Sequence, residues 1–109
     1  MKLFLDDERN PIDVFWNGNI YNESDWYIVR NYEEFVHHIT KNGLPSLISF
    51  DNDLAQVYEG IDCAKWLIDY CINNKLPICN YLVHSKNPVA KERISTLLEW
   101  TKKNYDNFF

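Results

Sequence analysis

Asp6, Asp7, Asp51, Asp53, His84, Ser85 and Asn87 all follow directly on apolar runs, in the strings KLFLDD (2–7), SLISFDND (46–53) and NYLVHSKNP (80–88). Each string reads as a buried strand that hands its polar residues to the loop beyond. If the three strands lie parallel, these side chains meet at one edge of one sheet. Carboxylates gathered there repel one another unless a cation sits among them. The chemistry to expect first is therefore a metal-assisted phosphate site. Mg2+ takes oxygen ligands and keeps several waters, so two or three carboxylates plus a substrate phosphate suit it. A metal so held polarises a phosphoryl oxygen or activates a water. The alternative is ordinary capping and turn formation by Asp. It is weaker for the set than for Asp6-Asp7 alone, because two clusters end apolar strands in the same way.

The third string joins a strand to a helix N-terminus through His84-Ser85-Lys86-Asn87-Pro88. Such a junction offers backbone N–H groups and a favourable dipole to an anion. Ser85 and Asn87 add hydrogen bonds and Lys86 a charge. His84 is either a general acid or base, with an unperturbed pKa of about 6.5, or a structural hydrogen-bonder. Ser85 or Asn87 in turn either binds phosphate or only caps the helix. Arg9 reaches either a phosphate or the surrounding acids. No G-x-x-x-x-G-K-[ST], G-x-G-x-x-G or G-x-S-x-G is present, so an ATP-type cradle, a dinucleotide site and a hydrolase elbow lack support.

The elements that must position these residues follow from pattern. Strands are expected at Lys2–Leu5, Trp26–Val29, Leu47–Phe50 and Tyr81–Val83. Asn31 reads as an N-cap, with Glu33 and Glu34 in the first helical turn and a stop at Asn42-Gly43. His37 and His38 fall on this helix, away from the acidic strings. A second helix runs from about Ile61 to Asn73, with Ile61, Ala64, Leu67, Ile68, Cys71 and Ile72 on one face. A third opens at Asn87-Pro88. Residues 8–25 form a long irregular segment whose Phe15, Trp16 and Tyr21 either make a lid or plug the core edge. Strands alternating with helices predict a parallel α/β sheet, with ligands bound beyond the carboxyl ends of its strands.

The chain has 109 residues, 46% hydrophobic and 16% aromatic, which suits one domain, 1–109, with a real core. A net charge of −5 supplies no field for non-specific nucleic-acid binding. A small nucleotide remains compatible, since a metal supplies positive charge locally. No apolar run approaches the ~20 residues that cross a bilayer. MKLFLDDERNP is not a signal peptide, so a cytoplasmic protein is expected. Cys63, Cys71 and Cys79 are odd in number and lack a C-x-x-C, and read as free buried thiols rather than a zinc site.

An Asp-Asp pair after strand one, an Asp ending strand three and a Ser ending strand four resemble the response-regulator receiver domain. LDDERNP (5–11), FDNDL (50–54) and HSKNP (84–88) resemble more closely its offshoot, the cyclic-phosphate-processing receiver domain, over essentially the whole chain. The resemblance implies a flavodoxin-like three-layer sandwich with about four short parallel strands and helices on both faces. It implies that Asp6 and Asp7 help bind Mg2+, that Asp51 accepts a phosphoryl group and that Ser85 contacts that group; the metal ligands expected here, for Mg2+ or Mn2+, are Asp6, Asp7 and Asp51. The middle motif carries Asn52 where the offshoot usually has His. No fifth strand with the receiver lysine is expected, and Lys86 is not its equivalent, which disfavours ordinary phospho-relay.

The function expected is a metal-dependent phosphoesterase acting on a cyclic phosphate of a nucleotide or RNA end. Asp51, Asp53 and His84 are its expected catalytic residues, and Ser85, Asn87, Lys86 and Arg9 its phosphate ligands. The alternative is a non-catalytic receiver-like module that binds a cyclic nucleotide or phosphorylated ligand, or takes part in signalling. Substrate, metal and oligomeric state are not legible in the sequence.

Overall fold

Alternation of side chains along four short strands divides the molecule into two unlike packing layers. The computed structural model describes all 109 residues. Strands β1 (Lys2–Leu5), β2 (Trp26–Val29), β3 (Leu47–Phe50) and β4 (Asn80–Val83) form one parallel sheet in the order β2-β1-β3-β4. Leu5 stands level with Val29 on one side and Phe50 on the other, and Phe50 with Val83. β4 starts one residue before the expected position.

Leu3, Leu5, Val29, Ile48, Phe50 and Val83 point to one face. There they pack on α1 (Tyr32–Asn42), α2 (Gly60–Asn73) and α3 (Pro88–Lys103), through Phe35, Ile39, Leu67, Ile94 and Leu98 among others. Phe4 points to the opposite face, where it clusters with Val14 and Tyr21. No α-helix covers that face. Segment 11–22 lies on it as three short 3-10 helices, Pro11–Asp13, Phe15–Asn17 and Asn19–Asn22. Helices thus lie on both faces, but of two kinds. The segment has no 3.6-residue apolar period, and Gly18 sits at φ 120°, which breaks it into single turns.

The helix ends follow local chemistry. Asn31 Oδ1 accepts the Glu34 N–H, and Gly43, at φ 85°, ends α1. Asn87 Oδ1 accepts the N–H of Val89 and of Ala90, with Pro88 at the first position of α3. His38 is buried and stacks on Tyr27, far from the acidic strings, and His37 is exposed. The three thiols are free, and burial pushes Cys71 up to about 12 and Cys79 to about 11. No helix is long and apolar enough to cross a membrane.

Candidate functional site

Sheet hydrogen bonding runs one residue past β1, β3 and β4. The Asp6 N–H donates to the Val29 carbonyl (3.1 Å), that of Asp51 to Leu5 (2.9 Å) and that of His84 to Phe50 (2.9 Å). Three polar residues are therefore fixed by backbone at one level, at the carboxyl edge of the sheet. They continue the alternation of Phe4, Ser49 and Leu82, and so turn toward the 3-10 face.

An open cleft of about 470 Å³ lies above them. Asp6, Asp7, Asp51, Asp53, Arg9, Ser85, Lys86 and Asn87 line it, joined by Glu8 and Ala55. Of the site residues expected from sequence, only His84 is not on its wall. A larger groove of about 570 Å³ between α2 and α3, around Trp100, shares no residue with this cleft. It has no gathering of carboxylates, so the smaller space is the candidate site.

Asp6 is fully buried and accepts four hydrogen bonds. Its Oδ1 takes the N–H of Glu8 (2.9 Å) and of Arg9 (2.8 Å), and its Oδ2 takes Arg9 Nε (2.9 Å) and His84 Nε2 (3.0 Å). Burial alone would raise this carboxyl. The His84 bond, the two backbone bonds and the Arg9 charge outweigh it and hold the pKa at about 2. Asp51, 3% exposed, goes the other way: burial and the neighbouring Asp6 charge push it up to about 6, against the opposing pull of Arg9. Arg9 joins the two acids, with its terminal nitrogen 3.3 Å from Asp51 Oδ1. A carboxylate that resists ionising beside one that does not is the signature of a place short of positive charge. Asp6, Asp51 and His84 offer one ligand atom each within 4.8 Å of one another, and all three are buried.

His84 sits behind Asp6, with no exposed surface. Its ring stacks on Phe4 at 4.5 Å, and its Nδ1 lies 2.6 Å from Ser49 Oγ. Ser49 Oγ is in turn 2.7 Å from the Tyr21 hydroxyl, which accepts Asn17 Nδ2 at 2.9 Å. A buried polar chain thus runs from the 3-10 segment under the sheet to Asp6. Burial lowers the pKa of His84, and Asp6 opposes that shift.

The loops are held by residues that pattern reading passed over. Arg30, just past β2, donates to the carbonyls of Asp6 (3.1 Å) and Arg9 (2.7 Å) and to Asn10 Oδ1 (2.7 Å). It thereby staples the loop that carries Asp7, Glu8 and Arg9. Gly60 opens α2 against the backbone after β3, with its N–H on the Asn52 carbonyl at 2.8 Å. A Cβ there would meet the Asp51 carbonyl at 1.9 Å, so only glycine allows the approach. Ala55, on the cleft wall, holds φ at 52°, a left-handed conformation that costs a non-glycine residue about 1 kcal/mol. At the mouth, Trp16 carries Lys86 Nζ at 4.2 Å and the Arg9 guanidinium at 5.1 Å from its ring centre. The exposed Phe15 meets Trp16 edge-on. A signal for Ser49 was present: it is the one hydroxyl inside the apolar run LISF.

The model of the cyclic-phosphate processing receiver domain matches residues 1–100. The chain belongs to that family. The receiver-like, flavodoxin-like fold follows from that membership and from the parallel sheet. No curated protein matches the chain. Among solved structures, a chain described as a segment of the yeast Spc42 trimeric coiled coil fused to another structure is similar at 15% identity, with a TM-score of 0.49. That similarity covers 97% of this chain and 78% of the other. In this cyclic-phosphate processing receiver domain, Asn52 does not line the cleft. Its Oδ1 accepts the Ile61 N–H (3.3 Å) and its Nδ2 donates to Asp53 Oδ1 (3.2 Å), so it ties the start of α2 to the acidic loop.

Proposed function

We propose that this receiver-like domain is a metal-dependent phosphoesterase that opens a cyclic phosphate on a nucleotide or RNA end. The observation that carries the reading is the paired carboxylates of Asp6 and Asp51 clamped on one guanidinium, beside the N-terminus of α3. Two carboxylates close enough to share one cation are what a divalent ion needs, so the residues fit such an ion. Asp6, Asp7 and Asp51 would hold Mg2+ or Mn2+. When bound, the ion neutralises phosphoryl charge and makes a water acidic.

The remaining work falls to side chains of the cleft. Ring opening adds water across one P–O ester bond: the new P–O bond forms as the bond to the sugar oxygen breaks. The water gives up a proton and the departing sugar oxygen takes one. Asp53, exposed in the cleft, would accept the first and return it to the sugar oxygen. Lys86 supplies charge to the phosphate, and the N-terminus of α3 its N–H groups. Ser85 Oγ accepts the Asn87 N–H at 3.1 Å, which leaves its own proton to donate to a phosphate. Asn87 Oδ1 is committed to capping α3, so its contribution is the amide nitrogen. His84 has both ring nitrogens engaged and acts through Asp6, as a positioning residue. Phe15 offers an exposed ring to a base.

The test is incubation with a panel of 2′,3′-cyclic nucleotides and cyclic-phosphate RNA ends, with Mg2+ or Mn2+ and chromatographic counting of product, against Asp51→Asn. Many turnovers, lost in a variant that still folds, support the proposal. Product that never exceeds one equivalent would replace it with ligand capture. A mass gain at Asp51 from acetyl phosphate, without hydrolysis, would replace it with receiver-type signalling.

A further inference from the structure

We infer that Arg9 is the resident counter-cation of the site: its guanidinium clamps Asp6 to Asp51 until a divalent ion takes that place, and then turns to hold the phosphate beside Lys86. This rests on the metal-site reading above and assigns Arg9 two successive partners.

The four donors to Asp6 are not alike. Three of its four hydrogen bonds come from groups the fold holds rigidly. Two are backbone N–H groups in a loop stapled by Arg30, and the third is an imidazole wedged between Phe4 and Ser49. The fourth, from Arg9 Nε, comes from a long side chain that is 29% exposed. A cation that approaches Asp6 from the cleft has one position to gain on Oδ2, and Arg9 holds it. On Asp51, Oδ1 receives the Asn52 N–H (2.9 Å) and Arg9. No buried side-chain oxygen of the protein lacks a partner, so the unbonded Oδ2 of Asp51 faces the cleft. The geometry offers a divalent ion one oxygen freely and a second only in exchange for the guanidinium.

The displaced guanidinium has a path. Arg9 already lies over one face of Trp16, whose ring also carries Lys86 Nζ at 4.2 Å. A guanidinium that leaves the carboxylates but keeps its contact with Trp16 stays close to Lys86, in the cleft that Ser85, Lys86 and Asn87 also line. Two cations gathered there without a carboxylate between them invite an anion. Ion entry and anion capture are then linked: the site neutralises its acids with its own arginine when empty and lends that arginine to the phosphate when loaded.

Calorimetry with Mg2+ alone, and then with inorganic phosphate at saturating Mg2+, tests this on the wild type and on Arg9→Gln. The variant is expected to bind Mg2+ about ten-fold more tightly and phosphate about ten-fold more weakly. Opposite signs are the mark of the exchange. Weakening of both would make Arg9 a mere organiser of Asp6 and overturn the inference. Tighter Mg2+ with unchanged phosphate would overturn its second half. The wild type provides a measurement that needs no variant to fold. The Nε–H resonance of Arg9, one of three arginines, is expected to shift on adding Mg2+ and again on adding phosphate. A resonance that stays in place while Mg2+ binds would refute the displacement but leave the phosphoesterase proposal standing. No Mg2+ binding by either protein would overturn both.

Discussion

Ser49 Oγ lies 2.6 Å from His84 Nδ1, and this buried contact decides what the histidine can do. The polar chain through it has fixed ends. The Asn17 amide nitrogen only donates, to the Tyr21 hydroxyl and to the Val83 carbonyl. The Asp6 carboxylate, with its pKa at about 2, only accepts. Every link between must run in one direction: Asn17 to Tyr21, Tyr21 to Ser49, Ser49 to His84 Nδ1, and His84 Nε2–H to Asp6. A doubly protonated ring would reverse the Ser49 link and leave one hydroxyl proton of the Ser49–Tyr21 pair without an acceptor in the chain. The form that satisfies every link is the neutral ring with its proton on Nε2.

Nitrogen-15 spectra of the side chain check this directly. At neutral pH, His84 is expected to show an unprotonated Nδ1 and a protonated Nε2; two protonated nitrogens would contradict the chain. Ser49→Ala strips Nδ1 of its donor and Tyr21 of its acceptor. It should cost about 1–3 kcal/mol of stability, read as a fall in the urea midpoint. Tyr21→Phe should cost less, since Ser49 still donates to His84.

Charge crowding at Asp51 has a consequence for the metal-free protein. A carboxyl raised from 3.8 to about 6 is destabilising when ionised, by an amount on the order of 3 kcal/mol at neutral pH. Asp51→Asn should therefore raise the metal-free melting temperature, by several degrees for a chain of this size. Mg2+ should stabilise the wild type and not this variant. A lower melting temperature for Asp51→Asn without metal would show that the Arg9 contact outweighs burial and the Asp6 charge.

The pH dependence carries a definite sign. Asp51 keeps its proton to a higher pH in the folded chain than in the unfolded one, so stability is fully present below about 3.8 and falls as pH rises toward 6. Asp6 works in the opposite sense: its contribution is present above 3.8 and is lost as pH falls through about 2. Between them, these two groups favour a metal-free optimum near pH 4. Urea melts at pH 4, 5 and 7 should show decreasing stability, and saturating Mg2+ should flatten the slope. A slope unaffected by Asp51→Asn would place its origin elsewhere.

Gly60 ties the fold to the site. Gly60→Ala forces a methyl against the Asp51 carbonyl, and α2 must back away from the end of β3. A loss of about 2 kcal/mol or more is expected. Mg2+ affinity should fall with it, because Asp51 rides on the same backbone. An alanine variant with wild-type stability and affinity would refute the close approach.

Much of this architecture is legible in the amino-acid order. The apolar runs around Leu3–Leu5, Ile48–Phe50 and Leu82–Val83 mark strands because a strand packed on both faces needs little else. Their spacing by helical patterns forces parallel order. The oxygen-bearing residues directly after them then fall at one edge, which brings Asp6, Asp7, Asp51, Asp53, Ser85, Lys86 and Asn87 to the same cleft. Asn31, Gly43 and Asn87 announce their helix ends because capping is a local matter.

What the sequence could not assign depends on partners far away in the chain. His84 fits either of its expected roles until the register sets Ser49 beside it and Asp6 in front of it. Arg9 fits either of its own until Asp51 comes within reach. Tyr21 belongs to a segment without helical or strand period, so only its packing on Phe4 shows that it anchors a buried chain rather than a lid. Arg30 and Gly60 matter because of backbone atoms 21 to 24 and 8 to 9 residues away, which no local pattern encodes. Local periodicity determines which elements form and where their polar ends point. Which donor meets which acceptor there is a property of tertiary register, because a hydrogen bond is decided by a few tenths of an ångström that only the packed sheet supplies.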